Sequence, residues 1–252
     1  MFQQDLTPLI KDNLAFLESF KPVDMSGYKR DDLIKLYWQY HPRFTCVKIA
    51  SPMKGRLLDV GGGSGGMTFW KEYLYPFRTD LAMCAVDLQK GEFFDRYEKY
   101  ALMNLDKEEL PFEDASFDCI ILSHLIEHIQ DWKLLFQKFN KVLRKGGVVY
   151  IETPSKHTVD LPSKTHYIDK GLLCTTINFY DDNTHVAPTD LDEAAAYAGT
   201  LNMITLEKGY VRNIHFEDLL LSYGLKHKDG EASQYGLWSK LMFSSYLILQ
   251  KM

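Results

Sequence analysis

The sequence predicts a doubly wound α/β fold on a mostly parallel sheet, and three observations carry that prediction. Between Arg56 and Ile151, runs rich in Val, Ile and Leu alternate with amphipathic segments, the pattern of parallel strands covered by helices on both faces. The first run, Arg56-Leu57-Leu58, breaks at once into Asp59-Val60-Gly61-Gly62-Gly63-Ser64-Gly65, a glycine-rich turn at the end of a buried strand. The second run, Leu81 to Val86, again ends on an acid, Asp87.

In chain order, the stretch up to about Ala50 places apolar residues at helical spacing: Leu6, Leu9 and Ile10, then Leu14, Phe16 and Leu17, then Leu33, Ile34, Leu36 and Tyr37. This is a helical N-terminal extension of two or three helices. Asp31-Asp32 would start the second major one, where carboxylates complement the helix dipole, and Pro42 would end it. At the glycine turn, residues without Cβ can take positive φ and let a ligand approach the backbone, beside the unpaired N–H groups of the next helix. Gly61, Gly63 and Gly66 also satisfy the dinucleotide pattern G-x-G-x-x-G, so the spelling alone leaves the cofactor open. Asp59 discriminates. A carboxylate just ahead of the first glycine would repel a pyrophosphate at a helix N-terminus but would welcome an ammonium. S-adenosylmethionine carries an α-ammonium, a sulfonium and a ribose diol with no phosphate, and D-x-G-x-G-x-G suits it better.

These residues resemble motif I of the class I S-adenosylmethionine-dependent methyltransferases, and further matches follow in the expected order. Asp87, at the tip of the second strand, can accept both ribose hydroxyls. It stands somewhat further from Gly61 than the roughly 20 residues of the compact fingerprint, which the turn Tyr75-Pro76-Phe77-Arg78 explains. Asn104-Leu105-Asp106, Leu110-Pro111-Phe112 and Ser116-Phe117-Asp118 are similar to the third-strand and fourth-strand region of the family. Cys119 to His128 resembles the fourth strand and the loop after it, where many small-molecule members carry Glu-His. Val142 to Ile151 resembles the helix end, glycine turn and fifth strand. The likeness covers Arg56 to Pro154 well and the rest by order of elements.

The resemblance implies a seven-stranded, mostly parallel sheet with an antiparallel last strand paired to the sixth. It implies S-adenosylmethionine as cofactor. Asp59 would anchor the methionine ammonium with Gly61, Gly63 and Gly65 beside it, Asp87 the ribose, Leu88 the adenine face, and Leu105 and Asp106 the adenine edge. Ser123 and Leu125 would line the methyl channel. His128 is the candidate general base for an alcohol acceptor, because methyl transfer is an in-line displacement that needs a deprotonated nucleophile. The alternative is that Glu127 and His128 only pin the loop. His185, in Phe179-Tyr180-Asp181-Asp182-Asn183-Thr184-His185-Val186, is the second catalytic candidate, against the alternative of a surface loop residue. Trp38, Tyr40 and Phe44 are either core or a lid that shields the sulfonium by cation–π contact.

After the fifth strand the pattern breaks. From Thr153 to about Pro188 the chain is polar and rich in turn residues, an insertion expected on the substrate side. No metal is expected from it: His157, His166, His185, Asp181 and Asp182 lack the spacing of recurring metal motifs. Thr189-Asp190 caps a helix through Ala198 that Gly199 stops. Met203 to Val211 reads as the sixth strand, Phe216 to Tyr223 as a short helix ended by Gly224, and Leu241 to Gln250 as the last strand.

Composition bounds the function. A chain of 252 residues with 46% hydrophobic content fits one α/β domain: an N-terminal lid (1–50), a cofactor core (51–153), the insertion (154–188) and the rest of the sheet (189–252). The formal net charge of −5 and the absence of basic clusters interleaved with aromatics argue against a nucleic-acid partner. Scattered Cys46, Cys84, Cys119 and Cys174, with no C-x-x-C pair, point to a reducing, cytoplasmic setting. No apolar run approaches bilayer-spanning length, so a soluble protein with a small-molecule substrate is expected. The rival functions are a nicotinamide-dependent oxidoreductase, disfavoured by Asp59, and a non-catalytic methyltransferase-like binding subunit. Nucleic-acid amino methylation is disfavoured because Ser123-His124-Leu125-Ile126 stands where those enzymes resemble Asn/Asp-Pro-Pro-aromatic.

Overall fold

The computed structural model describes residues 7–252; Leu6, and the side chains of Leu9 and Ile10, lie outside the described residues. Three helices come first: α1 (Thr7–Ser19), α2 (Arg30–Gln39) and α3 (Pro42–Ala50). Pro42 does not simply end α2. It occupies the first turn of α3, where its missing N–H costs nothing, and the His41 side chain accepts a hydrogen bond from Arg43 N at 3.2 Å.

The sheet strands are β1 (Arg56–Val60), β2 (Ala82–Asp87), β3 (Lys99–Leu102), β4 (Phe117–Ser123), β5 (Leu143–Pro154), β6 (Met203–Tyr210) and β7 (Ser244–Lys251). They form one seven-stranded sheet in the order β3-β2-β1-β4-β5-β7-β6. β1 pairs in parallel with β2 and β4, β2 with β3 and β4 with β5, whereas β6 and β7 run antiparallel. The strand order reverses between β1 and β4, the position at which open α/β sheets bind ligands beyond the carboxyl ends of their strands.

Helices flank the sheet unevenly. α4 (Trp70–Tyr73) is a single turn that continues a 3-10 turn over Gly66–Phe69, and β2 reaches β3 through one 3-10 turn, Phe94–Arg96, with no α-helix. The repeated strand–helix alternation expected from the sequence is therefore cut short on this side. The chain turns back at once there, with Glu98 N bonded to Met83 O at 2.8 Å. α5 (Trp132–Val142) is a full helix whose N-terminus is capped by the Asp131 carboxylate on Leu134 N at 3.0 Å. Its Leu135, Phe136 and Phe139 pack with Leu58, Val60, Ile120, Leu122, Val149 and Ile151 on one face of the sheet. Ala194 and Ala198 of α7 (Leu191–Thr200) join that core, and α3 lies against β4 and β5. Asp190 caps α7 as expected, on Asp192 N at 2.8 Å, but the helix runs one residue past Gly199.

The insertion after β5 holds 3-10 turns over Lys156–Asp160 and Phe179–Asp181 and the short α6 (Lys164–Ile168). The C-terminal region departs most from expectation. α8 (Glu217–His227) runs through Gly224, and a helix the sequence did not reveal, α9 (Gly230–Lys240), precedes β7, which begins at Ser244 and not Leu241. Gly224 is a packing residue: a Cβ there would stand 2.2 Å from Ser233 Oγ and 2.8 Å from Ser233 N of α9.

Length and composition predict one domain. Contacts group the chain into two compact units, one comprising the chain up to Tyr37 with His157–Asn183 and Val211–Ser244, the other Trp38–Lys156 with Thr184–Tyr210 and Ser245–Met252. The first has its own core, in which Leu161, Tyr167, Leu172, Ile177, Leu221 and Leu237 are buried together. The second holds the sheet.

Candidate functional site

The glycine turn takes the conformation its sequence calls for. Gly61, Gly63 and Gly65 have φ of +76°, +56° and +83°, the left-handed region that side chains resist. The turn is held from β2: Gly61 N donates to Val86 O at 2.8 Å, and Gly63 N donates to the Asp87 carboxylate at 2.9 Å. A glycine not singled out from sequence completes the seat. Gly91 lies so close that a Cβ on it would meet Gly63 O at 2.0 Å, and no local motif marks it.

Asp59 and Asp87 stand at the ends of neighbouring strands, in the register Val60 to Val86. Asp59 is buried and accepts a hydrogen bond from the Tyr97 hydroxyl. Burial pushes its pKa up to about 6, against the Tyr97 bond and the Arg43 charge, which pull it down. Leu88 is 67% exposed, an apolar surface open to stacking. Leu105 is buried in the core cluster of β4 and α5. Asp106 Oδ1 accepts from Gln130 N at 3.2 Å, and Lys138 Nζ donates to Leu105 O at 2.7 Å, so this loop is tied to the segment after β4 and to α5. Ser123 ends β4 opposite Glu152, and a Cβ on Gly61 would touch Leu125 at 2.8 Å.

After β4 the chain enters a buried polar network that no sequence pattern announced, because its members come from α3, β5 and the segment after β4. His124 has φ +49°, an uncommon conformation outside glycine, and donates a ring hydrogen bond to Glu152 Oε1 at 3.1 Å. Its Nδ1 stands 3.4 Å from Glu127 Oε1. Burial alone would lower the His124 pKa, but its contacts with Glu127 and Glu152 outweigh that and hold it at about 9. Glu152, 1% exposed, also receives the Arg43 guanidinium at 2.8 Å and the Tyr150 hydroxyl at 2.8 Å. Despite the cost of burial, the Arg43 charge keeps its pKa well below the usual carboxylate range.

His128 and His185, distant in sequence, meet with ring centroids 4.8 Å apart. His128 Nδ1 lies 3.1 Å from Thr184 O, and Val186 N bonds to Glu127 O at 2.8 Å, which pins the two segments. Of the aromatics considered for a lid, Phe44 is fully buried, and Trp38 packs against His41 and Trp70 with the Arg43 guanidinium 5.3 Å over its ring. Tyr40 is 63% exposed. Among the described residues no helix is long and apolar enough to cross a membrane.

This strand order, glycine turn and pair of strand-end acids define a class I S-adenosylmethionine-dependent methyltransferase domain. The chain belongs to the family described as methyltransferase domain, whose model matches residues 6–206. It is similar to the ubiquinone/menaquinone biosynthesis C-methyltransferase UbiE of Hahella chejuensis, 25% identical over 131 residues that cover 49% of this chain and 53% of the relative. A probable S-adenosylmethionine-dependent methyltransferase of Mycobacterium tuberculosis is 27% identical over 135 residues, 50% of this chain and 45% of that protein. The chain thus spans about half the length of the curated relatives it matches. Among solved structures, an S-adenosylmethionine-dependent methyltransferase of Archaeoglobus fulgidus aligns with TM-score 0.54 at 16% identity over 94% of this chain and 98% of that one. Phosphoethanolamine N-methyltransferase 2 of Haemonchus contortus aligns with TM-score 0.56 at 19% identity over 95% of this chain and 60% of that one. At these identities the structural likeness speaks for the fold.

Proposed function

We propose that the chain transfers the methyl group of S-adenosylmethionine to a hydroxyl on a small acceptor, a sugar, a lipid or a natural-product intermediate. The observation that carries the cofactor half is the placement of Asp59 and Asp87 beside the positive-φ glycine turn, with the Asp87 carboxylate already on Gly63 N at 2.9 Å. Two carboxylates there suit an ammonium and a diol and repel a diphosphate. Asp59 takes the ammonium, Asp87 the ribose and Leu88 the adenine face, with Asp106 at the adenine edge.

The acceptor half rests on His128 and His185. An Nδ1–H that donates to Thr184 O leaves His128 Nε2 as the basic nitrogen. The acceptor oxygen attacks the sulfonium methyl carbon; the carbon–sulfur bond breaks with its electron pair going to sulfur, and the hydroxyl proton goes to the imidazole. The products are the methyl ether and S-adenosylhomocysteine. Relatives that include a ubiquinone/menaquinone biosynthesis C-methyltransferase and a malonyl-[acyl-carrier protein] O-methyltransferase support a small acceptor.

Titration calorimetry with S-adenosylmethionine and S-adenosylhomocysteine tests the cofactor half. Asp87→Ala is expected to lose at least about tenfold in affinity, the loss of one charge-assisted hydrogen bond of about 1.5–3 kcal/mol. Wild-type affinity in that variant, or fluorescence quenching by reduced nicotinamide cofactor in its place, overturns the assignment.

A further inference from the structure

The geometry points to a second ligand site, for a divalent transition-metal ion, formed by Glu127, His128 and His185. The donor atoms of these side chains all lie within 4.8 Å of one another. Sequence spacing gave no hint of it, because the ligands come from the turn after β4 and from the far end of the insertion. The two are joined by Val186 N on Glu127 O at 2.8 Å.

Three observations mark it as more than a chance meeting of polar side chains. Glu127 is 1% exposed, and its Oε1 makes no well-aligned hydrogen bond among the described residues, its neighbour His124 Nδ1 standing 3.4 Å away. A buried carboxylate oxygen held only by that longer contact keeps a lone pair to offer an ion. Its Oε2 is fixed by the Thr153 hydroxyl at 3.1 Å, which aims Oε1 toward His185 Nε2, 4.0 Å away. His128 presents Nδ1 to Thr184 O at 3.1 Å, and an imidazole that donates one N–H to a backbone carbonyl turns its other nitrogen out as a ligand.

Oxygen and nitrogen ligands bound at about 2.0–2.2 Å in a tetrahedral shell stand roughly 3.4 Å apart. Bringing separations of up to 4.8 Å to that value takes up to about 1.4 Å of closure, shared between the two rings and the carboxylate. Two imidazoles and one carboxylate suit zinc, cobalt or iron(II) better than magnesium or calcium. Three protein ligands leave a position open for an outside oxygen. An acceptor hydroxyl bound there would be acidified by the ion and would lose its proton to water, so in the metal-bound form His128 would serve as a ligand in place of its role as base. This last step rests on the methyl-transfer reading above; metal binding itself does not.

The test uses the full chain, stripped of metal with a chelator and titrated with cobalt(II). Expected are visible ligand-field bands that saturate at one ion per chain. Glu127→Gln and His185→Ala should each weaken binding by at least about tenfold, while the exposed His215→Ala leaves it unchanged. No bands, or bands indifferent to Glu127→Gln and His185→Ala, overturn the site. Should a variant fail to fold, the wild-type chain still decides: zinc must shift the ring-proton resonances of His128 and His185, and unmoved resonances overturn the site. Calorimetry with S-adenosylmethionine on the same sample separates the two readings. Cofactor binding without cobalt bands sinks the metal site alone, and cobalt bands without cofactor binding sink the methyl-transfer reading alone.

Discussion

At the scale of single residues, Asp59 couples burial to cofactor chemistry. Its pKa, raised by burial to about 6, lies well above the ordinary carboxylate value. An ammonium ligand requires the ionised form, so affinity for S-adenosylmethionine should fall about tenfold between pH 7.5 and pH 5. Calorimetry across that range checks it, and Asp59→Asn should bind weakly with no such dependence. Stability without ligand moves the other way. Because the folded pKa is raised, the native state holds the proton more tightly than the unfolded chain, and that stabilisation is complete only below the unfolded value near 4. It is lost as pH rises through about 6, and Asp59→Asn should stabilise the unliganded protein at neutral pH by about 2–3 kcal/mol. Gly91 acts by proximity alone. A Cβ 2.0 Å from Gly63 O has to displace the turn, so Gly91→Ala should cut cofactor affinity by about tenfold or more, whereas Gly199→Ala, with open space around its Cβ, should not. Equal affinities for the two variants would show that the turn is not the binding element.

At the scale of elements, legibility in the sequence follows locality. The glycine turn and the acids at the ends of β1 and β2 were readable because a strand, its turn and its terminal charge are consecutive residues. The end of α5 was readable from the family resemblance, and α7 from its cap. α9 was not: it buries Ala232, Ser233, Gly236 and Ser239 as well as Leu237, small and polar residues that leave no apolar periodicity. Gly224 misled for the same reason, since glycine signals a helix stop in sequence and here admits the neighbouring backbone of α9. Glu127 was named as a residue that could pin its loop, but its meeting with Arg43, His124 and Glu152 was beyond reach, because a buried charge network joins residues that only the finished sheet brings together. Gly224→Ala tests the packing reading. Ala is the better helix former by roughly 0.8–1 kcal/mol, yet a Cβ 2.8 Å from Ser233 N is overpacked, and the net effect should be a loss of about 1–3 kcal/mol in urea unfolding. A gain in stability would return Gly224 to the role of an ordinary weak helix residue.

At the scale of the whole molecule, the chain holds two compact units with separate cores, so a ligand's effect is read most directly in the unit that binds it. The residues assigned to the cofactor all fall within Trp38–Lys156, in the unit that holds the sheet. A ligand that binds only the folded form stabilises what it binds by about 2.7 kcal/mol at a concentration 100 times its Kd, close to a hundredfold in an opening equilibrium. Amide exchange is the measurement suited to this, because β1 and β2 are buried central strands whose hydrogen bonds open only when the sheet does. Adding S-adenosylmethionine should therefore slow exchange in β1, in β2 and at the amides of Gly61 and Gly63, approaching a hundredfold where opening exposes the cofactor seat. Slowing confined to loops on the other side of the sheet, with β1 and β2 exchanging as before, would place the ligand elsewhere and remove the basis for reading Asp59 and Asp87 as its anchors.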